Sequence, residues 1–146
     1  MCFLQVFRLP KRIEGQGVCL AARPRPLWRL LLTPLSQGRF TLEFVIRLQG
    51  GERVGQVEVR MDTQGLKQAE IGMEVDPAHR SQGLGRRALQ LIESYLADTL
   101  GVETATVRVR EDNSPSRAFA EQAGYRMAEH DPNGMIHFKK RIGNST

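Results

Sequence analysis

One stretch near the middle of the chain constrains the fold more than any other. Residues 69–75 alternate between apolar and polar side chains, and this spacing predicts a strand with one buried face. Asp76-Pro77 ends that strand, because proline has no N–H to give to a strand ladder. A segment with two glycines follows and leads into a helical pattern. The sequence therefore predicts a strand, a glycine loop and a helix in direct succession.

The glycine loop has the composition of an anion site. Gly83 and Gly85 lie at the start of a helix whose apolar residues recur at helical spacing, namely Leu84, Ala88, Leu91, Ile92 and Tyr95. Glycines there let backbone N–H groups approach a ligand, and the helix dipole favours negative charge by up to about 2 kcal/mol. Arg80, Arg86 and Arg87 add positive charge. These residues predict a cradle of the kind that holds phosphate.

Composition sets the class of protein. A chain of 146 residues with 40% apolar and 25% charged residues fits one soluble domain. Two cysteines and three scattered histidines give neither a disulfide framework nor a metal-ligand spacing, so we expect no metal. No apolar run approaches the ~20 residues of a membrane span, and the first residues lack a signal-peptide pattern. We expect a cytoplasmic protein without a membrane partner.

The positive charge is concentrated near the N-terminus. Residues 1–39 carry seven basic groups and one acid, whereas the rest of the chain has 14 basic and 15 acidic residues. Such a segment could attract an acidic substrate, nucleic acid or the ribosome surface, or it could be a solvated arm. A nucleic acid is not the partner we expect.

The glycines also fit a dinucleotide-binding pattern. Residues 83–88 have the form G-x-G-x-x-A. In that fold the strand runs almost directly into the first glycine, whereas here residues 76–82 intervene. The acid that binds ribose should end the next strand, but Glu103 begins it. The pattern therefore disfavours a dinucleotide site.

Two motifs resemble those of a known family. Residues 80–85, Arg-Ser-Gln-Gly-Leu-Gly, are similar to the [RQ]-x-x-G-x-[GA] pyrophosphate loop of the GCN5-related N-acetyltransferase (GNAT) superfamily. Residues 113–125, from Asn-Ser-Pro-Ser to Gly-Tyr, resemble its second element, and the similarity runs from about Phe40 to Ile142. Residues 28–35 resemble the opening strand of the ribosomal-protein N-acetyltransferase branch. The chain is identified as a member of this superfamily.

The resemblance implies an α/β (α+β) fold with a mixed, mostly antiparallel sheet, splayed between its fourth and fifth strands and flanked by helices. The expected strands are Trp28–Leu35, Phe40–Leu48, Arg53–Met61, Gln68–Val75, Glu103–Arg110, Tyr125–Glu129 and Met135–Ile142, and the expected helices are Gly83–Asp98 and Pro115–Ala123. We expect Ser114 to cap the second helix. Residues 1–26 are a poorly defined basic segment, and residues 27–146 form a single domain.

The resemblance also implies acetyl-CoA as co-substrate. The residues that it places at the cofactor are Met73, Val75, Arg80, Ser81, Gln82, Gly83, Leu84, Gly85, Arg86, Asn113 and Ser116. Asn113 is expected to reach the pantetheine arm, and the backbone of residues 73–75 to pair with the pantetheine amides. A backbone N–H near Val75 would then face the thioester oxygen.

The implied reaction is acetyl transfer to a primary amine, of a small molecule or a protein N-terminus, by direct attack. Glu70 is the first candidate for the base and Glu74 the second, although each could be a solvent-facing strand carboxylate. Ala120 occupies the position where many members carry a tyrosine, so Ser116 or water is the candidate acid.

The acceptor region departs from the family pattern. Only four residues separate Leu35 from Phe40, too few for the two helices that usually line the acceptor cleft, so these helices are absent or are supplied by residues 1–26. The alternatives are an open cleft, a partner subunit that completes it in a homodimer, or lost activity. A non-catalytic acyl-CoA-binding or regulatory module is the alternative function.

Overall fold

Eight strands and two α-helices make up the part of the chain that the computed structural model describes, residues 12–15, 17–23, 39–62 and 67–143. The strands are β1 (Arg12–Gly15), β2 (Val18–Ala22), β3 (Arg39–Leu48), β4 (Arg53–Asp62), β5 (Gln68–Val75), β6 (Thr104–Arg110), β7 (Arg126–His130) and β8 (Met135–Arg141). The helices are α1 (Leu84–Asp98) and α2 (Ser114–Gln122), and a 3-10 turn covers Pro77–His79.

All eight strands lie in one sheet, in the order β1-β2-β3-β4-β5-β6-β8-β7. Every neighbouring pair is antiparallel except β5 and β6, which are parallel. The parallel pair is joined by α1, as a crossover between parallel strands requires. The predicted mixed sheet with flanking helices is confirmed.

The sheet opens between β5 and β6. Their ladder has three pairs, of which the last is Glu70 with Thr106, and the remaining residues of β5 have no partner in β6. This is the predicted splay. It falls between the fifth and sixth strands rather than the fourth and fifth, because two further strands precede β3 and the predicted strand Trp28–Leu35 lies outside the described residues.

The N-terminal region contributes a hairpin that the sequence pattern did not reveal. β1 pairs with β2, and β2 pairs with the edge of β3 from Val18 opposite Leu48 to Ala22 opposite Phe44. Val18, Cys19 and Leu20 are buried. Part of the expected basic segment therefore belongs to the sheet. The boundary at residue 26 lies outside the described residues and stays a prediction, as does most of the turn predicted after Asp62.

The core lies between α1 and one face of the sheet. The apolar stripe of α1 packs there, with buried Leu84, Ala88, Leu89, Ile92, Tyr95 and Leu96. Tyr95 meets Phe44 of β3 edge-on, with ring centroids 6.4 Å apart. Full burial of one such side chain contributes about 2 kcal/mol. Neither described helix is long and apolar enough to cross a bilayer.

The cap of α2 differs from the prediction. Asn113, rather than Ser114, is the N-cap: its side-chain oxygen accepts a hydrogen bond from the Ser116 N–H at 3.2 Å. Ser114 and Pro115 are consequently the first two helical residues. Asparagine and serine are similarly good caps, so local preference cannot choose between neighbouring candidates.

Candidate active site

The loop before α1 has the backbone shape of an anion cradle. Ser81 and Gly83 both adopt left-handed conformations, with φ of 63° and 74°. Alternation of left-handed with ordinary residues turns successive N–H groups toward one side, and such concavities bind anions. Serine adopts this conformation at a cost, because its Cβ crowds the backbone. A strained serine two residues before a left-handed glycine supports a ligand-binding role for the loop.

The first turn of α1 also lacks its usual partners. Gly83 is the N-cap and supplies no side-chain hydrogen bond, and no acidic residue lies in the first turn. Arg86 and Arg87 lie there instead, exposed, although the helix dipole disfavours positive charge at that end. An anion bound against this turn would satisfy both the free N–H groups and the two guanidinium groups.

The cradle is held close to the end of β5. Arg80 donates from Nε to the Val75 carbonyl oxygen at 3.1 Å, which folds the loop back on the strand. A Cβ on Gly85 would lie 3.4 Å from Met73 and Val75 and 3.6 Å from Phe119. Gly85 therefore lets α1 approach the splayed strand closely, and a side chain larger than a methyl group would not fit.

A cleft of about 300 Å³ fills the splay. Its walls are residues of β5 and β6, and its floor comes from α1, α2 and the residues beside them. The lining residues are Ile71, Gly72, Met73, Leu89, Val107, Arg108, Val109, Arg110, Asn113, Ser116, Phe119, Ala120, Tyr125 and Met135. The cleft thus brings together three residues predicted for the cofactor site: Met73, Asn113 and Ser116.

Asn113 and Ser116 have polar atoms left for a ligand. The Asn113 oxygen caps α2, which leaves its amide N–H groups as donors. The half-buried Ser116 hydroxyl makes no hydrogen bond to any residue that the structure describes. Beyond Glu70, β5 pairs with β4 but has no pair in β6. This open side of β5, together with Asn113 and Ser116, fits the amides and the thioester of an extended pantetheine arm.

The two candidate bases occupy different places on β5. Glu70 lies where the splay begins and forms ion pairs with Arg60 at 3.3 Å and Arg108 at 3.8 Å. Glu74 is exposed and lies near the loop. Glu74 lies four steps along the strand from Glu70, which separates their Cα atoms by about 13 Å, so the two carboxylates cannot act on the same atom. Both roles stay predictions.

A second depression lies on the polar face of the sheet. This groove of about 420 Å³ crosses β3, β4 and β5, and its lining residues are Arg23, Glu43, Phe44, Gln56, Val57, Glu58, Gly72, Met73 and Glu74. Three carboxylates and the Arg23 guanidinium line it, and Arg60 lies beside it, with its guanidinium 3.1 Å from the Glu58 carboxylate. Gly72 and Met73 line both the groove and the cleft, so the two lie against the same stretch of β5. The sequence analysis did not find this groove, because its charges come from three separate strands.

A buried charged pair also escaped the sequence analysis. Glu93 lies in the apolar stripe of α1, and its carboxylate is 2.8 Å from Nζ of Lys140 in β8. Burial raises the pKa of Glu93 above its usual range, while the hydrogen bond to Lys140 lowers it. The sequence contained one signal of this pair: a glutamate lies within the apolar stripe formed by Leu89, Ile92 and Leu96, where it needs a cationic partner.

Tyr125 lines the cleft but is not suited to donate a proton there. Its hydroxyl is buried without a hydrogen-bond partner among the described residues. Burial, with a smaller contribution from the negative charge of Glu93, raises the pKa of Tyr125 strongly. Tyr125 belongs to the core, since 2% of it is exposed.

We expect Tyr125→Phe to stabilise the protein by about 1 kcal/mol, because it removes an unsatisfied buried hydroxyl. The free energy of urea unfolding at pH 7 measures this. The raised folded-state pKa means that wild-type stability should also fall as the pH rises above about 10, where the unfolded tyrosine ionises first. The variant should show less of that alkaline loss. Destabilisation at pH 7 would mean that the hydroxyl has a partner.

Comparison with known proteins identifies the family. The model of the "Acetyltransferase (GNAT) family" matches residues 16–125. The chain belongs to the GNAT family. The family match and the cleft in the splayed sheet point to the same activity. The protein is an acetyl-CoA-dependent N-acetyltransferase that transfers an acetyl group to an amine. Within the part of this GNAT protein that the structure describes, no cluster of side chains could hold a metal ion.

Solved structures share the GNAT fold at low identity. A ribosomal-protein-serine acetyltransferase-like protein of Vibrio cholerae has 17% identity and a TM-score of 0.69, over 89% of this chain and 97% of that one. Dodecameric spermidine N-acetyltransferase of Vibrio cholerae has 16% identity and a TM-score of 0.67, over 88% and 95%. The same enzyme with CoA and spermine has 17% identity and a TM-score of 0.63, over 80% and 73%. Among curated proteins, none matches the sequence significantly.

Proposed function

We propose that the acceptor is a small molecule with at least two amino groups, which the groove on the polar face binds as a cation. The observation that carries this proposal is the placement of Glu43, Glu58 and Glu74 around a depression that shares the lining residue Gly72 with the acetyl-CoA cleft. Carboxylates attract ammonium groups and exclude anions, so an acidic acceptor is disfavoured. A molecule with a single amino group would pair with one of the three carboxylates and would gain nothing from the other two.

The strand register sets the spacing between the amino groups. Gly72 of β5 lies opposite Glu58 of β4, which lies opposite Glu43 of β3. Neighbouring strands are about 4.8 Å apart, so the Cα atoms of Glu58 and Glu43 lie about 5 and 10 Å from that of Gly72 across the sheet. An amine over Gly72 could therefore keep a second ammonium group between Glu58 and Glu43. Diamines and polyamines with linkers of several carbon atoms have this spacing.

The reaction follows by direct attack across β5. The amine loses a proton, its nitrogen bonds to the thioester carbon, and the carbon–sulfur bond breaks to release the thiolate. Glu74 lines the groove and can take the amine proton directly or through water, whereas Glu70 must first give up an arginine partner. The Ser116 hydroxyl can donate to the departing sulfur, and a backbone N–H near Val75 can stabilise the oxyanion.

The comparisons support this choice of acceptor without deciding it. One protein of the same fold binds CoA and spermine and is named a spermidine N-acetyltransferase, and another resembles a ribosomal-protein-serine acetyltransferase. A protein N-terminus is the second candidate acceptor. A free N-terminus carries one amino group, so with that group over Gly72 it has no second ammonium group to place between Glu58 and Glu43.

An acceptor series with acetyl-CoA tests the proposal. We expect kcat/KM to be highest for spermidine or a linear diamine, and lower for a monoamine of equal length and for a peptide beginning with serine. Glu58→Gln should raise KM for the diamine about tenfold, because a charged hydrogen bond contributes about 1.5 kcal/mol. It should leave KM for the monoamine unchanged. Glu121→Gln, an exposed change on α2, is the matched control.

The opposite ranking would contradict the proposed acceptor. If kcat/KM is higher for a peptide than for the diamines, and Glu58→Gln changes KM for neither acceptor, the groove binds a protein chain instead. Equal rates for diamine and monoamine would mean that the second ammonium group is not bound.

We also propose that the protein self-associates and acts in the cytoplasm. Structural relatives include a dodecamer, which shows that this fold can assemble. Cys19 is a buried free thiol, which suits a reducing compartment. Sedimentation equilibrium with and without acetyl-CoA measures the assembly, and a single species of 16.4 kDa at all concentrations would contradict a dimer.

A further inference from the structure

The walls of the acetyl-CoA cleft are joined by few backbone bonds. β5 and β6 share three register pairs, whereas β4 with β5 and β6 with β8 share seven pairs each. The sheet therefore consists of two well-paired halves that meet at a short ladder. A contact just beyond the last pair of that ladder would control how far the halves diverge.

Arg108 makes such a contact. It lies on β6 two residues after Thr106, the last residue of the ladder, and its guanidinium lies 3.8 Å from the Glu70 carboxylate of β5. The same guanidinium lies 3.5 Å from Asp131, in the turn between β7 and β8. Arg108 is 34% exposed and Glu70 is 28% exposed, so water only partly screens this pair. One arginine thus links both halves of the sheet.

Both carboxylates are themselves held in place. Glu70 has a second ion pair with Arg60 of β4 at 3.3 Å. Asp131 accepts hydrogen bonds from the N–H groups of Asn133 and Met135 at 2.7 and 3.2 Å, and His137 of β8 lies 3.2 Å from it. The arginine therefore bridges two anchored groups. Networks of this kind can contribute more than isolated surface pairs.

We propose that Arg108 is a positioning residue that sets the width of the cleft at its base through Glu70. Arg108 lies between Val107 and Val109 on β6, and these three residues line the cleft, as do Ile71 and Met73 of β5. Holding β6 against β5 at this point fixes where the acetyl end of the co-substrate comes to rest. The proposal rests on acetyl-CoA binding and does not depend on which amine is the acceptor.

The proposal gives Glu70 a role that differs from that of a general base. If Glu70 and Arg108 act as one pair, removing either charge has the same effect, and removing both has little further effect. A general base would act alone, since the loss of Arg108 would leave its carboxylate in place. The two roles therefore give different patterns in a double-mutant cycle.

Calorimetric titration with acetyl-CoA on Arg108→Gln, Glu70→Gln and the double variant tests the pair. We expect each single change to weaken acetyl-CoA binding about tenfold, and the double variant to lie within about twofold of the singles. Lys139→Gln on β8, an exposed lysine, is the charge-matched control and should bind normally. Arg108→Lys keeps the charge and tests the same contact if Arg108→Gln does not fold.

Steady-state kinetics separates positioning from a general loss of structure. We expect KM for acetyl-CoA to rise about tenfold in both single variants, with KM for the amine and kcat at saturating acetyl-CoA nearly unchanged. Normal acetyl-CoA affinity in Arg108→Gln, or additive losses in the double variant, would overturn the proposal. Calorimetric titration with acetyl-CoA needs no acceptor amine. It therefore tests the role of Arg108 even if the proposed diamine acceptor is wrong.

Discussion

Gly72→Val should lower kcat/KM for the amine about a hundredfold while acetyl-CoA binds with nearly unchanged affinity, because small misplacements of reacting groups cost factors of this size. Gly72 is shared by the groove and the cleft. A Cβ there would make ordinary van der Waals contacts, 3.8 Å from the Arg60 guanidinium and 3.9 Å from the Glu58 carbonyl oxygen. A branched side chain would therefore fill the path of the amine without disturbing the backbone.

The fold should tolerate that change, since valine favours strands and Gly72 lies inside the strand β5. Gly72→Ala should have a smaller effect in the same direction. Gly50→Val is the matched control, because a Cβ on Gly50 in the β3–β4 turn meets nothing within 4 Å and Gly50 lines neither the groove nor the cleft. Full activity in Gly72→Val with normal folding would show that the amine does not cross β5 at this residue.

Lys140→Met should destabilise the protein by about 3 kcal/mol, because it leaves the Glu93 carboxylate buried without its cation. The side chain of Glu93 is 8% exposed, and Lys140 lies 2.8 Å from it. The free energy of urea unfolding measures the loss. Since burial raises the pKa of Glu93, its carboxyl takes up a proton readily in acid. The deficit should therefore shrink as the pH falls through this raised pKa, above the ordinary value of 4.5, because the uncharged carboxyl needs no cation.

The double variant Glu93→Leu with Lys140→Met should recover most of this stability, because a packed apolar pair often replaces a buried ion pair without loss. Lys139→Met changes an exposed neighbour on the same strand and should alter the free energy of unfolding by less than about 0.5 kcal/mol. A double variant as unstable as Lys140→Met alone would mean that shape, rather than charge, dominates at this site.

Local signals in the sequence predicted the cofactor loop and the elements around it. Proline after Asp76 ends β5, and the glycines and apolar spacing after Gln82 begin α1, at positions that the structure confirms within a residue. These features depend on backbone preferences of a few neighbouring residues. The splay could be predicted only through the resemblance to a family, since no residue of β5 by itself shows where its pairing ends.

Features built from distant residues could not be predicted. Glu93 and Lys140 are far apart along the chain, and so are Glu70, Arg108 and Asp131, so no sequence window contains both partners. The β1–β2 hairpin was missed for a different reason. Its strands have four and five residues, and the second, Val18–Ala22, is a short apolar run without alternation. Such a run gives no period that distinguishes a strand from a buried helix segment.

Calorimetric titration of the full chain with acetyl-CoA, with NAD as control, tests the central claim that the splayed cleft and the Ser81–Gly83 loop hold acetyl-CoA. We expect saturable binding of acetyl-CoA at one site per chain and no heat with NAD. Gly83→Asp should abolish the binding, because it places a carboxylate at a left-handed position inside the anion cradle. Absence of acetyl-CoA binding in the folded wild-type protein, or undiminished binding in Gly83→Asp, would contradict the claim.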